Sequence, residues 1–298
     1  MFSLSLYTGT TMDIIPILIF LKYINGFIFM EIHEIIEKST EAMKKEPAFL
    51  KLHGKIMAAG DTHGDVIVSK AIIKKFFEDG YDALIFLGDY IDRAPSDVGS
   101  SIPNINYLLE MKAKHRSKIF LLKGNHEANY AIPCFPHEFE YEVKQCCPSL
   151  YEAYIKAFME MPLMALVNNV YLAHGGFPRK GVQIEKNDVD AIEEITWSDV
   201  AISPVYRGAG FKFDEKMLSQ FLNKIKAKAF IRGHDYTMNG IIAYKKCLTI
   251  FSSRKYENEG NGGILIAKID GHIKSIEDIK IERWKDGKWI EYEPLYLE

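Results

Sequence analysis

Five apolar segments of the chain each run into a short loop that carries carboxylate, imidazole, amide or guanidinium side chains. In the first, AAGDTHGDV (58–66), a glycine separates the apolar run from Asp61 and His63. The other four segments are LIFLGDYIDR, IFLLKGNHE, VYLAHGG and AFIRGHD. Loops at one edge of a sheet commonly build functional sites, and glycine lets the backbone adopt unusual angles there. The recurrence of this pattern predicts one shared site rather than unrelated turns.

Six side chains from these loops form a candidate metal-ligand set of oxygen and nitrogen donors without thiolates. They are Asp61, His63, Asp89, Asn125, His174 and His234. This mixture suits Mn, Fe or Zn better than Ca or Mg alone, because imidazole is a borderline ligand. Two metals about 3.5–4 Å apart can share a bridging carboxylate, generate hydroxide near neutral pH and promote in-line displacement at phosphorus. Asp89 is predicted as the bridge because it lies in the central loop of the set.

The remaining polar residues of the loops predict acid catalysis and phosphate binding. A phosphate ester leaving group needs a proton, and His126 adjoins Asn125 without needing to be a ligand itself. Asp92 is expected to orient the imidazole of His126, as carboxylate partners commonly do. Arg93 and Arg207 are expected to bind non-bridging phosphate oxygens through bidentate hydrogen bonds.

The elements that must position these loops predict an α/β protein. Helices are predicted near 31–45, 66–79, 138–160 and 214–226. Strands, some including the loop that follows, are predicted near 55–59, 82–89, 118–127, 170–176, 229–232, 248–252, 262–269 and 276–284. Helix and strand alternate in the first half, and the second half is strand-rich. This order favours a layered α/β (α+β) core with a mixed sheet or two packed sheets.

The composition is that of an ordinary globular protein, with 298 residues, 48% hydrophobic and 26% charged. A formal net charge of −3 without a long basic run disfavours a dedicated nucleic-acid binder. The four cysteines have no CxxC spacing, which disfavours a zinc ribbon or a thioredoxin-like site. Reduced thiols in the cytoplasm are therefore expected.

Residues 1–29 are predicted to be an apolar N-terminal extension, and residues 30–298 the functional domain. The run at 14–29 is shorter than the roughly 20 apolar residues that span a membrane, and Lys22 interrupts it. No Lys or Arg precedes Lys22, which disfavours a secretory signal. The preferred interpretation is that Met30 is the true start and that the extension is a gene-model artefact. A membrane anchor at 14–29 is the alternative if the extension is translated.

The motifs GDTHG, GDYIDR, GNHE, HGG and RGH, in this order, resemble the signature of the PPP-type serine/threonine phosphoprotein phosphatases. These enzymes belong to the calcineurin-like metallophosphoesterase superfamily. The resemblance covers roughly 55–256 and, as a set, its motifs are highly specific. It implies a calcineurin-like metallophosphoesterase fold, in which helices flank a central β-sandwich with a binuclear metal centre at the sheet edge. Residues 30–298 would form this metallophosphatase domain.

The resemblance also implies roles for individual residues. One metal would be bound by Asp61, His63 and Asp89, and the other by Asp89, Asn125, His174 and His234. His126 with Asp92 would protonate the leaving alkoxide, and Arg93 would hold phosphate. The segment TWSDV (196–200) resembles the family's WSD segment, and Arg207 matches the arginine that follows it. Tyr256 matches a tyrosine that lines the substrate groove.

Three positions depart from the family pattern. Ala94 replaces a glycine, and Lys123 replaces an arginine before GNHE. The segment FSSRKY (251–256) replaces a serine-alanine-proline-asparagine-tyrosine stretch. Lys123 and this segment are expected in or near the groove, where they would affect substrate preference and toxin sensitivity. None of the three is a proposed metal ligand.

The resemblance implies a metal-dependent protein serine/threonine phosphatase that hydrolyses phosphomonoesters by in-line attack of a bimetal-bound hydroxide. Two divalent ions are implied, with manganese expected and iron or zinc as alternatives. Phosphoproteins would be its substrates, and regulatory subunits would be further partners. No CxxxxxR cysteine motif is present, so no covalent phosphoenzyme is expected. A shallow groove would not strongly reject phosphotyrosine, so activity on that residue stays open.

Two other enzyme functions of the same superfamily stay open. A symmetrical dinucleoside tetraphosphatase is similar at GDTHG, but it typically lacks the aspartate of Asp92 and has GNHD instead of GNHE. A broad-specificity phosphomonoesterase or phosphodiesterase would use the same centre. A regulatory protein with a degenerate site is disfavoured because every candidate ligand, the acid and both arginines are present. A structural zinc protein is disfavoured because such sites favour closed thiolate sets.

Several other residues are predicted to have no chemical role. Five histidines outside the strand-end pattern are expected at the surface or in structural positions: His33, His53, His115, His137 and His272. Glu127 is expected to support the ligands by hydrogen bonding rather than to bind metal. The C-terminal segment is predicted to form a hairpin, with Asp286 and Gly287 at its turn.

Overall fold

Two β-sheets pack face to face and form the centre of the computed structural model, which describes residues 30–259 and 262–297. The predictions for the extension at 1–29 lie outside the described residues. Among the described helices, none combines the length and the apolar character that crossing a bilayer requires.

The six-stranded sheet contributes the first three polar loops. Its strands are β2 (Ile56–Ala59), β3 (Ala83–Phe86), β4 (Ile119–Leu121), β12 (Ile264–Ile269), β13 (Lys280–Lys285) and β14 (Lys288–Glu291). They lie in the order β14-β13-β12-β2-β3-β4. Strands β2, β3 and β4 are parallel neighbours, and the other pairs are antiparallel. The loops that follow β2, β3 and β4 therefore leave the same edge of the sheet.

The seven-stranded sheet contributes the other two polar loops. Its strands are β1 (Phe49–Leu52), β5 (Met164–Val167), β6 (Val170–Ala173), β9 (Ala229–Arg232), β10 (Ile241–Ala243), β11 (Cys247–Thr249) and β15 (Leu295–Leu297). They lie in the order β1-β5-β6-β9-β11-β10-β15. Strands β6 and β9 are parallel neighbours, so the loops after them also leave a common edge. A small third sheet pairs β7 (Asp199–Val200) with β8 (Lys212–Phe213).

Seven helices cover the outer faces of the two large sheets within the described residues. They are α1 (30–44), α2 (Val66–Glu78), α3 (Ile102–Lys114), α4 (Glu138–Cys146), α5 (Tyr151–Met159), α6 (Val189–Thr196) and α7 (Glu215–Lys224). Apolar residues of α1 to α5 pack on the six-stranded sheet, and those of α6 and α7 pack on the seven-stranded sheet. A third apolar cluster fills the space between the sheets. The predicted α/β layers, with a β-sandwich flanked by helices, are thus confirmed.

One segment crosses between the sheets beside the first polar loop. Phe251 follows β11 and forms a parallel bridge with Asp61, which follows β2. Ser252 donates its backbone N–H to the carbonyl of Asp61 at 2.9 Å. Its hydroxyl accepts from the backbone N–H of Gly60 at 2.8 Å. We call residues 250–252 the seam, because they join the edges from which the polar loops leave.

The structure differs from the sequence-based prediction where a turn residue interrupts a periodic pattern. The helix predicted at 138–160 is two helices, because Pro148 cannot continue a helix and disfavours helical backbone at the residue before it. The elements that the sequence does not predict are helices α3 and α6 and strands β1, β5, β7, β8, β10 and β15. The C-terminal hairpin is confirmed, with positive φ angles of 50° at Asp286 and 77° at Gly287, as a tight two-residue turn requires.

The packing between the sheets can be tested with a pair of leucine substitutions. Leu265 lies on β12, is fully buried and packs between the sheets, whereas Leu295 on β15 is 50% exposed. We expect Leu265→Ala to lower the free energy of unfolding by about 2–5 kcal/mol, because it leaves a cavity. Leu295→Ala should lower it by less than about 1 kcal/mol. Urea denaturation measures both, and equal losses would contradict this account of the core.

Candidate active site

The loops after β2, β3, β4, β6 and β9 bring the six predicted ligands together, and all six are buried. One carboxylate oxygen, Oδ2 of Asp89, lies at the centre of the group. It is 3.6 Å from Nε2 of His63 and 3.4 Å from Nε2 of His174. It is also 3.9 Å from Nε2 of His126. A single oxygen atom therefore faces imidazoles from three different loops.

The remaining predicted ligands lie on the side of His174. Oδ1 of Asn125 is 3.0 Å from Nε2 of His174 and 2.9 Å from Nδ1 of His234. Those two imidazole nitrogens are 3.1 Å apart. The carboxylate of Asp61 lies 3.8 Å from His174 and 4.0 Å from Nε2 of His63, and it accepts the backbone N–H of His234. Each predicted ligand thus lies within 4 Å of another.

The chemistry of this donor set fits divalent cations. Burial raises the pKa of Asp61 to about 7, and the neighbouring Asp89 adds to the shift. Burial lowers the pKa of His174, but Asp89 and Asp61 outweigh it and raise that pKa to about 9. Nε2 of His234 is buried without a hydrogen-bond partner among the described residues. Cations bound between these groups would take the place of the protons and offset the repulsion between the two carboxylates.

Two compact groups of donor atoms share Asp89. One comprises Asp89, His63 and His126, and the other comprises Asp89, His174 and His234, each with ligating atoms within 4.8 Å of one another. Asp89 is the member common to both, as expected of a bridging ligand. These two groups of donor atoms could therefore hold two metal ions.

The backbone is strained at five non-glycine residues of the site. They are His63, Asp89, Asp92, Arg93 and His234, with φ angles of 38°, 54°, 60°, 55° and 71°. Sparsely populated backbone conformations of this kind cost of order 1–3 kcal/mol each and cluster at functional sites. The surrounding fold must therefore stabilise the conformations of these loops.

Glu127 holds two of the loops in position. Its Oε2 accepts the backbone N–H groups of Asp89 at 2.8 Å and Gly124 at 3.0 Å, and its Oε1 accepts that of Tyr90 at 2.8 Å. Burial raises the pKa of Glu127 to about 7, and Asp89 contributes to the shift. A Cβ atom at Gly124 would lie 2.2 Å from Oδ1 of Asp89, so this close approach requires glycine.

The predicted acid and its partner are in direct contact. Nδ1 of His126 lies 2.5 Å from Oδ2 of Asp92, and both side chains are buried. Nε2 of His126 has no hydrogen-bond partner among the described residues and lies on the side of Asp89. The imidazole is thus held at one nitrogen while the other faces the candidate metal site.

A second histidine contacts the same aspartate, and sequence reasoning did not include it in the site. Nδ1 of His137 lies 2.9 Å from Oδ2 of Asp92. His137 lies outside the strand-end pattern because it precedes helix α4. Its position a short loop after GNHE, next to the start of a helix, is the sequence signal that could have indicated it.

The three predicted phosphate-binding residues lie on two sides of the ligand set. Nη1 of Arg93 lies 3.4 Å from the hydroxyl of Tyr256, whose ring centroid is 5.5 Å from that of His63. Arg207 lies on the other side, where its Nη2 donates to the carbonyl of His234 at 2.9 Å. Its Nε donates to Asp199 at 2.9 Å, so only part of this guanidinium is left for phosphate.

The departures from the family pattern occupy different places. Lys123 is fully buried, and its Nζ donates to Tyr130 at 2.6 Å and to the carbonyl of Lys186 at 2.7 Å. Its expected location in or near the groove is therefore wrong, because its side chain extends into the packing beside α5. Arg254 of FSSRKY makes hydrogen bonds to Asp65 through Nε and Nη2, at 2.9–3.1 Å.

Known proteins that resemble this chain are phosphatases and phosphoesterases. Residues 54–238 match the family model of the calcineurin-like phosphoesterases. The chain is 28% identical to serine/threonine-protein phosphatase T of Saccharomyces cerevisiae over 80% of its length, but it spans only 50% of that relative. It is 26% identical to a protein phosphatase 2A catalytic subunit of Dictyostelium discoideum, and the match covers 82% of both chains.

Solved structures show the same fold. A protein serine/threonine phosphatase from Saccharomyces cerevisiae aligns with a TM-score of 0.68 and 23% identity, covering 91% of this chain and 90% of that one. A cold-active protein-tyrosine phosphatase from a Shewanella species aligns with a TM-score of 0.56 and 17% identity, covering 84% and 83%. With its motifs, its layered sandwich and the match at 54–238, the chain belongs to the calcineurin-like phosphoesterase family.

Proposed function

We propose that this protein is a metal-dependent phosphatase that hydrolyses phosphoserine and phosphothreonine esters of proteins. The observation that carries the proposal is the position of Asp89, whose Oδ2 faces His63 and His174 at 3.6 and 3.4 Å. The hydrogen-bonded pair of His126 and Asp92 lies beside it. Cations bound beside a buried acid could promote hydrolysis of a phosphomonoester, because the cations would activate water and the acid would protonate the leaving oxygen.

The relatives support the substrate class. Phosphatase T of Saccharomyces cerevisiae is named as a serine/threonine-protein phosphatase. Another relative of that name, a serine/threonine-protein phosphatase 2B catalytic subunit of the same organism, is 26% identical over 82% of this chain. The chain spans about half the length of these two relatives. A dinucleoside tetraphosphatase is not favoured, because Asp92 and Glu127 both fit the protein phosphatase pattern.

The proposed metal ligands divide into two sets that share Asp89. One set is Asp61, His63 and Asp89, and the other is Asp89, Asn125, His174 and His234. Two divalent cations bound there would lower the pKa of water and neutralise charge on the phosphoryl group. Manganese is the metal that we propose, with iron or zinc as alternatives, because imidazole and carboxylate donors are mixed.

His126 is the proposed general acid, and Asp92 is its partner. The Nδ1–H of His126 is held by Asp92, which leaves Nε2 to donate a proton to the departing oxygen of the ester. Burial of both groups excludes water that would otherwise compete for that proton.

Arg93, Tyr256 and Arg207 are the proposed phosphate-binding residues. Arg93 and Tyr256 touch one another on the side of His63, and Arg207 lies on the side of His234. Guanidinium groups on both sides of the ligand set would hold the non-bridging oxygens and fix the phosphoryl group for in-line attack.

The same proposal extends to the domain, the partners and the cellular location of the enzyme. Residues 30–298 would form the metallophosphatase domain, and phosphoproteins would be its substrates. Regulatory subunits are further proposed partners, since family members named as catalytic subunits are among the relatives. The four cysteines are free, which supports a reducing, cytoplasmic location.

Phosphate release from a phosphoserine peptide tests the activity itself. Protein treated with a chelator should release phosphate at least about 100-fold faster after manganese is added, since the reaction needs the metals. The same assay with a dinucleoside tetraphosphate and a phosphotyrosine peptide ranks the substrates. Faster turnover of the nucleotide would overturn the proposed substrate class.

Removal of the proposed bridging carboxylate tests the metal assignment. Loss of a residue that only hydrogen-bonds to a metal ligand typically weakens metal binding by about 10–100-fold. We expect Asp89→Ala to weaken metal binding more than that, because both sets of ligands lose a member. Metal content after desalting measures this. Asp190→Ala, at an exposed aspartate on α6, is the control and should keep its metal. Full metal retention in Asp89→Ala would refute the bridge.

The role of His126 is tested by comparing leaving groups. His126→Ala should lower kcat on a phosphoserine peptide by about 10²–10⁴-fold, because an alkoxide leaves poorly without a proton. On p-nitrophenyl phosphate, whose leaving group needs little protonation, the loss should stay below about tenfold. Losses of the same size on both substrates would remove His126 from the role of acid.

A further inference from the structure

The carboxylate of Asp92 accepts three hydrogen bonds, and two of them come from the start of helix α4. Its Oδ2 accepts from Nδ1 of His126 at 2.5 Å and from Nδ1 of His137 at 2.9 Å. Its Oδ1 accepts from the backbone N–H of Phe139 at 2.7 Å. The side chain of Asp92 is fully buried and that of His137 is 7% exposed, so little water competes for these contacts.

The contacts define the tautomers of both imidazoles. Burial raises the pKa of Asp92, but the hydrogen bonds from His126 and His137 outweigh it and hold that pKa below its usual range. An ionised carboxylate only accepts, so each imidazole must carry a proton on Nδ1. Nε2 of His137 is buried and has no hydrogen-bond partner among the described residues. His137 therefore donates its Nδ1–H to Asp92, the partner of the proposed acid His126.

The start of α4 presents three consecutive residues to the loop after β3. His137 is the residue before the helix, and its backbone has φ −120° and ψ 87°. Glu138 accepts the backbone N–H of Arg93 through Oε2 at 2.7 Å. The backbone N–H of Phe139 lies in the first turn of α4, where N–H groups have no acceptor within the helix. Oδ1 of Asp92 accepts this N–H. These contacts hold Asp92 and Arg93 against α4.

We propose that His137 is a positioning residue, which orients Asp92 and through it the proposed acid His126. The inference rests on the proposed function, because His126 acts as an acid only in hydrolysis of an ester. Two donors on one oxygen hold Asp92 in a single rotamer, and Asp92 in turn sets the plane of the His126 ring. A ring that rotates would move Nε2 from the leaving oxygen, and small misplacements slow proton transfer.

A purely structural role would have different consequences. If His137 served only to hold α4 in place, its loss would disturb metal sites and phosphate contacts as well. Rates on all phosphate esters would then fall together. If His137 orients the acid, the loss appears only where the leaving group needs a proton. The dependence on the leaving group therefore separates the two roles.

Two substitutions at position 137 test the inference. In His137→Asn, the side-chain amide places an N–H donor near the position of Nδ1, whereas His137→Leu keeps an apolar side chain without a donor. We expect His137→Leu to lower kcat on a phosphoserine peptide by about tenfold, at the low end for loss of a partner that orients an imidazole. On p-nitrophenyl phosphate the change should stay below about twofold, and His137→Asn should stay within about threefold on both substrates.

A double-mutant cycle and a matched control complete the design. In the His126→Ala protein, adding His137→Leu should change the peptide rate by less than about twofold, because no acid is left to position. His53→Leu, at an exposed histidine, should leave both rates unchanged. Two results would overturn the inference. One is an equal loss of rate on both substrates in His137→Leu, and the other is an undiminished loss of the peptide rate when His137→Leu is added to His126→Ala.

Nitrogen-15 NMR of the imidazoles in the metal-free full chain tests the contact without catalysis. A proton on Nδ1 of His137 is expected in the wild-type protein, and the Nε2–H tautomer would overturn the inference even if variants fold poorly. A wild-type protein that hydrolyses neither ester would overturn the proposed function and, with it, the role of His137. An active wild type with unaffected His137 variants would overturn this role alone.

Discussion

The buried carboxylate of Asp89 is the group on which the rest of the site depends. Its Oδ2 faces three imidazoles, while Oδ1 accepts the backbone N–H of His126 at 3.0 Å. A buried charge is unfavourable unless it is paired and hydrogen-bonded. The fold provides those partners from three loops, and Glu127 occupies the backbone N–H of Asp89 itself. Two of the other proposed ligands, His63 and His174, face this oxygen directly.

The strained loops of the site are stable because the layers behind them are well packed. Apolar clusters lie between the two sheets and between each sheet and its helices. Left-handed backbone at residues such as Asp89 and His234 is unfavourable by itself, so it persists only where surrounding contacts determine it. The sandwich thus supplies rigidity at the edge where precise placement of side chains matters most.

The site could be predicted from the sequence to a large extent because apolar strands and glycine-bounded polar loops are local patterns. Asp61, Asp89 and Asn125 were identified in this way, and parallel pairing of β2, β3 and β4 explains why they meet. His137 was not identified, because its place next to a helix start is a weak signal and its contact with Asp92 depends on how α4 packs. Lys123 was placed wrongly for the same reason, since the direction of a buried side chain depends on tertiary packing. The break between α4 and α5 follows from Pro148, whose effect on a helix outweighs the apolar periodicity around it.

The seam at 250–252 gives the candidate metal centre a second consequence. Asp61, His63, Asp89 and Asn125 follow strands of the six-stranded sheet, whereas His174 and His234 follow strands of the seven-stranded sheet. Cations held by both groups would join the two halves of the sandwich from outside, next to the backbone bridge of Asp61 and Phe251. By thermodynamic linkage, any ion that binds only the folded chain raises its conformational stability, by an amount that grows with the ratio of the free ion concentration to Kd. Folding of the β-sandwich and binding of cations at its edge would then be thermodynamically coupled.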